Sequence, residues 1–410
     1  MRLVKLKNLI KIKHFFSLLP GVFCCFLGHL YLNLFNNNIF EKVNYNHKKI
    51  LIIKLDAIGD FILWLDVAKE LRRVYSPNEY KITLLGNRNW TDLAENLNYF
   101  DEVLAIDRQA FFTRPAIYFD LLQKLFGTTF EIVLHPVYSR EFLFGDLFVW
   151  ASNAIHKIGM QGDYSNLSWW QKKIGDRCYT NLVSGSCEYD SELEHNALLL
   201  RWLGLSDFKA CVPDLKASNK PPNTQLPANY YVLIPGASVS LRIWPISCFI
   251  SLLEKVYALT GMTAVVCGGE KEKELGEIII LRTSAPVINI INQISLTELV
   301  TVISEAQFVV GNETGGIHIA AALGVPSICI MGGGHFGRFV PYSNNIVSQK
   351  QLPVSVFRRM ECFGCNWECI YNIQQGKPAP CIEINTLESV LCAVITLTEN
   401  IKTVSVNNNY

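Results

Sequence analysis

The sequence predicts an α/β protein with two Rossmann-like domains that face each other across a cleft. Its 410 residues suffice for two large domains. From residue 49 onwards, short β-branched runs alternate with helical stretches, which predicts parallel sheets with helices on both faces. A polar, proline-rich stretch at residues 216–229 divides the alternation and is predicted to be a linker. The expected domains are therefore residues 49–215 and 230–410.

The first half begins with an apolar run without alternation, which is typical of a strand buried on both faces. Three more strands and four intervening helices follow from the same pattern of apolar runs and helical stretches. The predicted strands are Ile50–Leu55, Lys81–Gly86, Glu102–Ile106 and Glu131–His135, and the predicted helices are Asp60–Val74, Thr91–Leu97, Pro115–Leu125 and Arg140–Ala151.

The second half repeats this order of elements. Ligands of such sheets bind beyond the carboxyl ends of the strands, so the residues that follow each strand are candidates for a site. The predicted strands are Tyr231–Ile234, Thr263–Cys267, Gln307–Val310 and Ser327–Met331, and the predicted helices are Ile246–Leu259, Lys271–Leu281, Leu296–Ser304 and Ile317–Leu323.

Charge is distributed unevenly along the chain. The formal net charge is +1, yet the first 49 residues carry eight basic residues and one acid, which leaves 29 basic and 35 acidic residues for the remainder. A nucleic-acid-binding protein would show a basic surface on its folded body, whereas this body is mildly acidic. Nucleic acid is therefore not expected among the partners.

The amino-terminal residues 1–48 predict a basic and hydrophobic membrane-associating segment. Phe15–Phe35 is 21 residues long and apolar enough to span a bilayer, but Pro20 and Gly21 interrupt it and both flanks are basic. We favour a monotopic or re-entrant anchor over a transmembrane helix or a helical pair packed on the body. The 13 cysteines, an odd number, fit a reducing compartment. The expected location is the cytoplasmic face of the inner membrane.

Asp60 is the candidate catalytic residue. It follows the first predicted strand and stands at the start of a helix, where the helix dipole favours the ionised carboxylate. An acid in this place can act as a base, although the same position is also typical of an ordinary N-cap residue.

Candidate ligand-binding residues follow three strands of the second half. Ser238 and Arg242 lie in a small-residue turn, and an arginine can bind two phosphate oxygens. Glu272 follows the next strand, where a carboxylate can accept ribose hydroxyls. In the block from Gly311 to Pro326, a strand is followed by Glu313 and Thr314, and then by glycines that let backbone N–H groups approach a diphosphate. The remaining candidates in that block are Gly315, Gly316 and His318.

Two further sets of residues are candidates with other roles. His135, Tyr138 and Arg140 follow a strand of the first half and are predicted to face the cleft. A cysteine-rich segment at 362–381 could hold zinc or an iron–sulfur cluster, form disulfides, or contain reduced structural thiols. We favour reduced thiols and expect neither a metal nor a cofactor. The cysteines of this segment are Cys362, Cys365, Cys369 and Cys381.

Three of these stretches together resemble glycosyltransferase family 9, the lipopolysaccharide heptosyltransferase family. They are Ile58-Gly59-Asp60, Arg242-Ile243-Trp244-Pro245 and Gly311–Pro326, and the resemblance covers residues 49–397. It implies a GT-B fold, an inverting transfer without metal, and a nucleotide-sugar donor, which is ADP-heptose in the best-known members.

The resemblance also implies roles for individual residues. Asp60 matches the general base, Ser238 and Arg242 match the groups that hold the donor phosphates, and Glu272 matches the ribose-binding acid. The diphosphate loop is matched by Thr314, Gly315 and His318. The sequence departs from the family pattern at Glu313, where Asp is frequent, at Arg242, where Lys is more frequent, and in a glycine-rich loop at 332–334.

The expected function is therefore transfer of a heptose-like sugar from a nucleotide-sugar donor to a lipopolysaccharide-core or other lipid-linked glycan acceptor. The expected partners are that donor, that acceptor and the membrane surface. His135, Tyr138 and Arg140 are then predicted to lie on the acceptor side. Two alternatives remain open from the sequence: a nucleotide-sugar epimerase or hydrolase of the same fold, and a non-catalytic membrane scaffold.

Overall fold

A computed structural model describes residues 47–185, 191–217, 220–343, 346–348 and 350–407. Apart from its last two residues, the predicted membrane-associating segment at 1–48 lies outside the described residues. The chain divides into two compact units. The first contains residues 47–57, 67–185 and 195–208, and the second contains 58–66, 191–194 and 209–407 within the described ranges.

The first unit is built on a parallel sheet of six strands. They are β1 (Lys48–Lys54), β2 (Tyr80–Asn87), β3 (Glu102–Ile106), β4 (Thr129–His135), β5 (Asn153–Met160) and β6 (Asn181–Val183), in the order β3-β2-β1-β4-β5-β6. Ile52 at the centre of β1 pairs with Leu84 on one side and Leu134 on the other. Because the strand order reverses between β1 and β4, their carboxyl ends flank a switch point.

The second unit repeats this plan with a second parallel sheet. Its strands are β7 (Tyr230–Ile234), β8 (Thr263–Val266), β9 (Val287–Asn289), β10 (Val309–Asn312), β11 (Ser327–Ile330) and β12 (Val354–Val356), in the order β12-β11-β10-β7-β8-β9. After β9 the chain returns to the other side of β7, so the switch point lies between β7 and β10. The predicted α/β class with two parallel sheets is confirmed.

Helices connect the strands. Those of the first half of the chain are α1 (Ile58–Leu63), α2 (Leu65–Val74), α3 (Thr91–Glu95), α4 (Arg108–Thr113), α5 (Phe119–Gly127), α6 (Leu147–Ala151), α7 (Trp169–Gly175) and α8 (Glu192–Trp202). Those of the second half are α9 (Ile246–Thr260), α10 (Lys273–Arg282), α11 (Leu296–Ser304), α12 (Gly315–Leu323), α13 (Pro380–Glu383) and α14 (Leu387–Asn407). Although α1 directly follows β1 in the sequence, it belongs to the second unit.

Each unit has its own apolar core. In the first, Phe111 contacts Phe148 and Phe144 beneath β1 and β4. In the second, the Tyr231 and Phe308 rings stack at 4.9 Å and Trp244 packs edge-on against Phe249. The stretch Ser240–Thr260 is long and apolar enough to cross a membrane, but α9 within it buries Leu252, Leu253 and Val256 in this core.

Several elements differ from the predicted ones. The single helix predicted at Asp60–Val74 is two helices that are separated at Trp64, and the helix predicted at Arg140–Ala151 is a π-helical turn, Phe142–Asp146, followed by α6. Four strands, β5, β6, β9 and β12, were not predicted. β9 and β12 are three-residue edge strands, and in β5 only the last three residues are buried.

Candidate functional site

At the switch point of the second sheet, one buried side chain links the turns that follow β7 and β10. The Asn312 Nδ2 group at the end of β10 donates hydrogen bonds to the carbonyls of Pro235, at 2.7 Å, and Gly236, at 3.3 Å. Its Oδ1 accepts from the Trp244 backbone N–H at 3.0 Å. These bonds satisfy the whole amide and hold the turns that follow β7 and β10 together, because a buried amide left unpaired would be costly.

The turn after β10 leads directly into α12. Thr314 is the N-cap residue in extended conformation, and its buried Oγ1 has no hydrogen-bond partner among the described residues. A Cβ on Gly316 would overlap the Ile234 side chain, and one on Gly315 would lie 2.7 Å from Ile58 Cγ2. The two glycines therefore let neighbouring elements approach the start of α12, where the first N–H groups carry the positive end of the helix dipole.

Arg242 reaches this turn from the loop after β7. Its Nη2 lies 2.9 Å from Glu313 Oε1 and also donates to the Glu313 carbonyl at 3.1 Å, while Nη1 donates to Ser238 Oγ at 3.2 Å. Glu313 is buried, and this burial raises the pKa of its carboxyl, with Arg242 opposing the rise. The carboxylate thus orients a guanidinium at the start of α12, with Ser238 exposed beside it.

His318 lies in the first half of α12 and is buried. Its Nδ1 is 2.7 Å from the Tyr342 hydroxyl, and the two rings are stacked with centroids 5.9 Å apart. Burial, aided by the Arg242 charge, lowers the pKa of His318 to about 3. The imidazole is therefore neutral at physiological pH. When Tyr342 donates to Nδ1, the proton of the ring is on Nε2, which can donate to a ligand.

Asp60 is brought to the same place by α1. A Cβ on Gly59 would lie 3.0 Å from His318 Cδ2, and one on Gly315 would lie 3.3 Å from the Gly59 backbone nitrogen. α1 and the start of α12 thus meet glycine against glycine, both within the second unit. Asp60 is half-buried in the first turn of α1. It directly follows Gly59, whose backbone lies close to His318.

Glu272 lies at the carboxyl end of β8. Its Oε2 accepts a hydrogen bond from the Gly269 backbone N–H at 2.8 Å, and a Cβ on Gly236 would overlap its side chain. The carboxylate therefore lies against the turn that follows β7. A carboxylate accepts several hydrogen bonds, so the contact with Gly269 leaves capacity for ligand hydroxyls.

The candidates of the first unit form a different environment. His135 and Arg140 are buried. The Tyr179 hydroxyl donates to Asp146 Oδ1 at 2.6 Å and lies 2.6 Å from His135 Nδ1, so it accepts the proton of that nitrogen. Burial first, and then the Arg140 charge, lowers the pKa of His135 well below its usual value.

Arg140 completes this network. It forms ion pairs with Asp146, at 3.6 Å, and with Asp176, and its guanidinium lies 4.8 Å from the Tyr179 ring. The Tyr138 carbonyl accepts a hydrogen bond from the Arg140 N–H at 3.1 Å, and the Tyr138 ring stacks on His195 with ring centroids 3.4 Å apart. The acceptor-side role of these residues stays a prediction.

The four cysteines of the predicted cluster are free thiols. Burial raises the pKa values of Cys365 and Cys381, and the neighbouring cysteines raise both further, so the thiols lie near one another. Cys381 Sγ also accepts from the Gly333 N–H at 3.5 Å. Across the described ranges, no group of three or more His, Cys, Asp or Glu side chains is arranged to hold a metal ion.

The sequence analysis missed three residues of the site in the second unit. Asn312 was part of the recognised block, but nothing in the sequence showed that its amide joins two turns. Tyr342 and Trp367 contact His318 and Arg242 from segments far along the chain, with Trp367 lying 5.2 Å beneath the Arg242 guanidinium. No periodicity or spacing indicates such contacts.

Comparison with known proteins identifies a matching family. The model of glycosyltransferase family 9 (heptosyltransferase) matches residues 120–363. Lipopolysaccharide heptosyltransferase 3 of Escherichia coli is 28% identical over 122 residues, which are 29% of this chain and 36% of that protein. The chain thus spans about a third of the length of this curated relative.

Solved structures share the fold. The glycosyl transferase family 9 structure from Veillonella parvula has a TM-score of 0.65 at 16% identity, with 85% of this chain and 97% of that chain covered. The Escherichia coli ADP-heptose lps heptosyltransferase II has a TM-score of 0.60 at 16% identity, with 86% and 99% covered. Since the family model matches more than half of the sequence, the chain belongs to glycosyltransferase family 9.

Proposed function

We propose that this chain is an inverting glycosyltransferase that moves a heptose-like sugar from ADP-heptose to a lipopolysaccharide-core or other lipid-linked glycan acceptor. The observation that carries the proposal is that Arg242 and α1, the helix that contains Asp60, both approach the glycines at the start of α12, beside the switch point of the second sheet. Family membership supports the reaction class. The names of the two Escherichia coli relatives support a heptosyl donor.

The donor diphosphate would bind at the start of α12. The N–H groups there and the Arg242 guanidinium offer donors to its oxygens, and Ser238 adds a hydroxyl. When the bond between the anomeric carbon and the diphosphate breaks, negative charge develops on the leaving oxygen. Donors that are already fixed in place stabilise this charge without reorganisation. Neutral His318 contributes an N–H rather than a full charge.

Asp60 would act as the general base. It takes the proton of the acceptor hydroxyl while that oxygen forms its bond to the anomeric carbon from the face opposite the diphosphate, which inverts the configuration. The products are the extended glycan and ADP. Glu272 would accept hydrogen bonds from the ribose hydroxyls beside the turn that follows β7.

The membrane location is part of this proposal. A basic and hydrophobic segment at residues 1–48 would hold the enzyme on the cytoplasmic face of the inner membrane, where a lipid-linked acceptor lies. In a flotation gradient, the full chain should rise with vesicles that contain about 30% anionic lipid and should stay at the bottom when no vesicles are present. Flotation that is equal with neutral and anionic vesicles would contradict the electrostatic part of the proposal.

Nucleotide binding tests the donor site. ADP at 100 times its dissociation constant should raise the free energy of unfolding by about 2.7 kcal/mol. UDP, GDP and CMP should give smaller shifts. Arg242→Ala should weaken ADP binding and so reduce this shift at the same ADP concentration. Because that change also leaves Glu313 buried without its cation, Arg242→Ala with Glu313→Gln is the matched variant, and the exposed Arg282→Ala is the control. If no nucleotide stabilises the protein, the proposal is wrong.

Turnover tests the role of Asp60. Asp60→Asn should lower kcat by roughly 10²–10⁴-fold with little change in ADP affinity, since it removes a base while keeping the size of the side chain. Product analysis in the absence of acceptor separates transfer from hydrolysis or epimerisation. An unchanged kcat for Asp60→Asn would exclude the assigned role.

A further inference from the structure

Two features that the sequence presents separately pack against each other in the second unit. The glycine run 332–334 follows β11, and the segment Cys362–Cys369 lies on it. The Gly364 and Asn366 N–H groups donate to the carbonyls of Gly333, at 2.7 Å, and Gly334, at 2.9 Å. A Cβ on Gly333 would overlap the Phe363 ring, and one on Gly334 would overlap the Trp367 ring. Because Gly333 and Gly334 have no side chains, the segment Cys362–Cys369 can pack closely against the glycine run.

The segment Cys362–Cys369 has an unusual backbone conformation at its centre. Asn366 has φ 50° and Trp367 has φ 60°, two consecutive residues in the left-handed region. A bulky side chain rarely adopts this conformation, and such strain is concentrated at functional sites. Here it is held by the two backbone hydrogen bonds and by a contact of 2.7 Å between His335 Nε2 and Asn366 Oδ1. The conformation places the Trp367 ring against Arg242.

The Arg242 guanidinium is thereby enclosed from two directions. Its carbon lies 5.2 Å from the centroid of the Trp367 ring, within the range of cation–π attraction, and its Nη2 is paired with the buried Glu313. In the described part of the chain, Arg242 Nε and Trp367 Nε1 are buried without hydrogen-bond partners. The ring face and the carboxylate together fix both the position and the plane of the cation.

We propose that Trp367 is a positioning residue that acts through Arg242: it holds the guanidinium in the orientation that receives the diphosphate of the donor. This inference rests on the proposed function, because it assumes that Arg242 binds a nucleoside diphosphate. It also assigns a role to the cysteine-rich segment as the carrier of Trp367. Without the Trp367 ring, the Arg242 guanidinium would sample more orientations and would bind the diphosphate less tightly.

Calorimetric titration of the full chain with ADP tests the proposal. Trp367→Leu, which keeps an apolar side chain but removes the ring face, should raise the ADP dissociation constant roughly 3–30-fold. Trp367→Phe keeps a smaller ring face and should lose less affinity. The matched control is Phe363→Leu, because the Phe363 ring packs on the same glycine run without contacting Arg242. This control should stay within about 2-fold of the wild type.

The same substitutions in an Arg242→Ala background give the decisive comparison. If Trp367 acts through Arg242, Trp367→Leu and Trp367→Phe should cause no further loss of ADP affinity there. A loss that persists in this background, or an unchanged dissociation constant for Trp367→Leu in the wild-type background, would overturn the positioning role alone. Should Trp367→Leu fail to fold, the Trp367→Phe pair gives the same comparison. Failure of the wild type to bind ADP would overturn both proposals.

Discussion

At the scale of single residues, the site in the second unit combines one fixed cation with neutral donors. Arg242 is held by Glu313 and Trp367, whereas His318 is kept neutral by burial and by the nearby guanidinium. Its hydrogen bond with Tyr342 fixes the ring. A neutral imidazole can orient a ligand oxygen without a protonation change near neutral pH, so binding through His318 should not depend on pH between about 5 and 8.

The buried imidazole predicts a pH dependence of stability. The folded pKa of His318 is about 3 and the unfolded value is near 6.5, so the unfolded chain binds more protons between these values. The contribution of neutral His318 to the free energy of unfolding is present in full above about pH 6.5 and is lost as pH falls towards 3. Urea unfolding of the wild type should lose about 1.4 kcal/mol per pH unit more than His318→Gln between pH 6 and 4. Equal slopes would contradict this.

At the scale of elements, the approach of α1 to α12 depends on two glycines. Gly315→Ala should destabilise the protein by about 1–3 kcal/mol because its Cβ would press on Ile58 and the Gly59 backbone. Ile58→Ala, which removes the obstructing methyl group, should recover part of that loss in the double variant. Denaturant unfolding measures both effects.

The control for this prediction is another helical glycine. A Cβ on Gly127, at the end of α5, would have nothing within 4 Å, so Gly127→Ala should leave the stability unchanged or raise it by about 0.5–1 kcal/mol. A loss for Gly127→Ala as large as that for Gly315→Ala would show that helical glycines in general, and not the α1–α12 contact, account for the effect.

The elements also show how far the sequence could predict the structure. The central strands β1, β4, β7 and β10 were predicted because buried parallel strands are continuous apolar runs. The three-residue edge strands β9 and β12 carry too few residues to show a pattern. The break between α1 and α2 at Trp64 was missed because neither Gly nor Pro marks it. Contacts between distant segments, such as Trp367 with Arg242, leave no local trace in the sequence.

At the scale of the whole molecule, the two sheets have the same plan, but the proposed donor groups belong to the second unit. Hydrogen exchange with ADP should therefore slow most in residues 235–242, 268–272 and 311–318, which follow β7, β8 and β10. Arg242→Ala should reduce this protection at the same ADP concentration. Protection confined to the segments that follow β2 and β4 would place the nucleotide at the first sheet and contradict the proposed site.

The assignment of α1 to the second unit has a consequence for the order of synthesis. Asp60 leaves the ribosome about 250 residues before Gly315, against whose helix α1 packs. At about 5–20 residues per second, this interval is roughly 10–50 s. The strands of the first sheet can pair while α1 still lacks its packing partner, so the proposed catalytic base is placed only after about 250 further residues have been made.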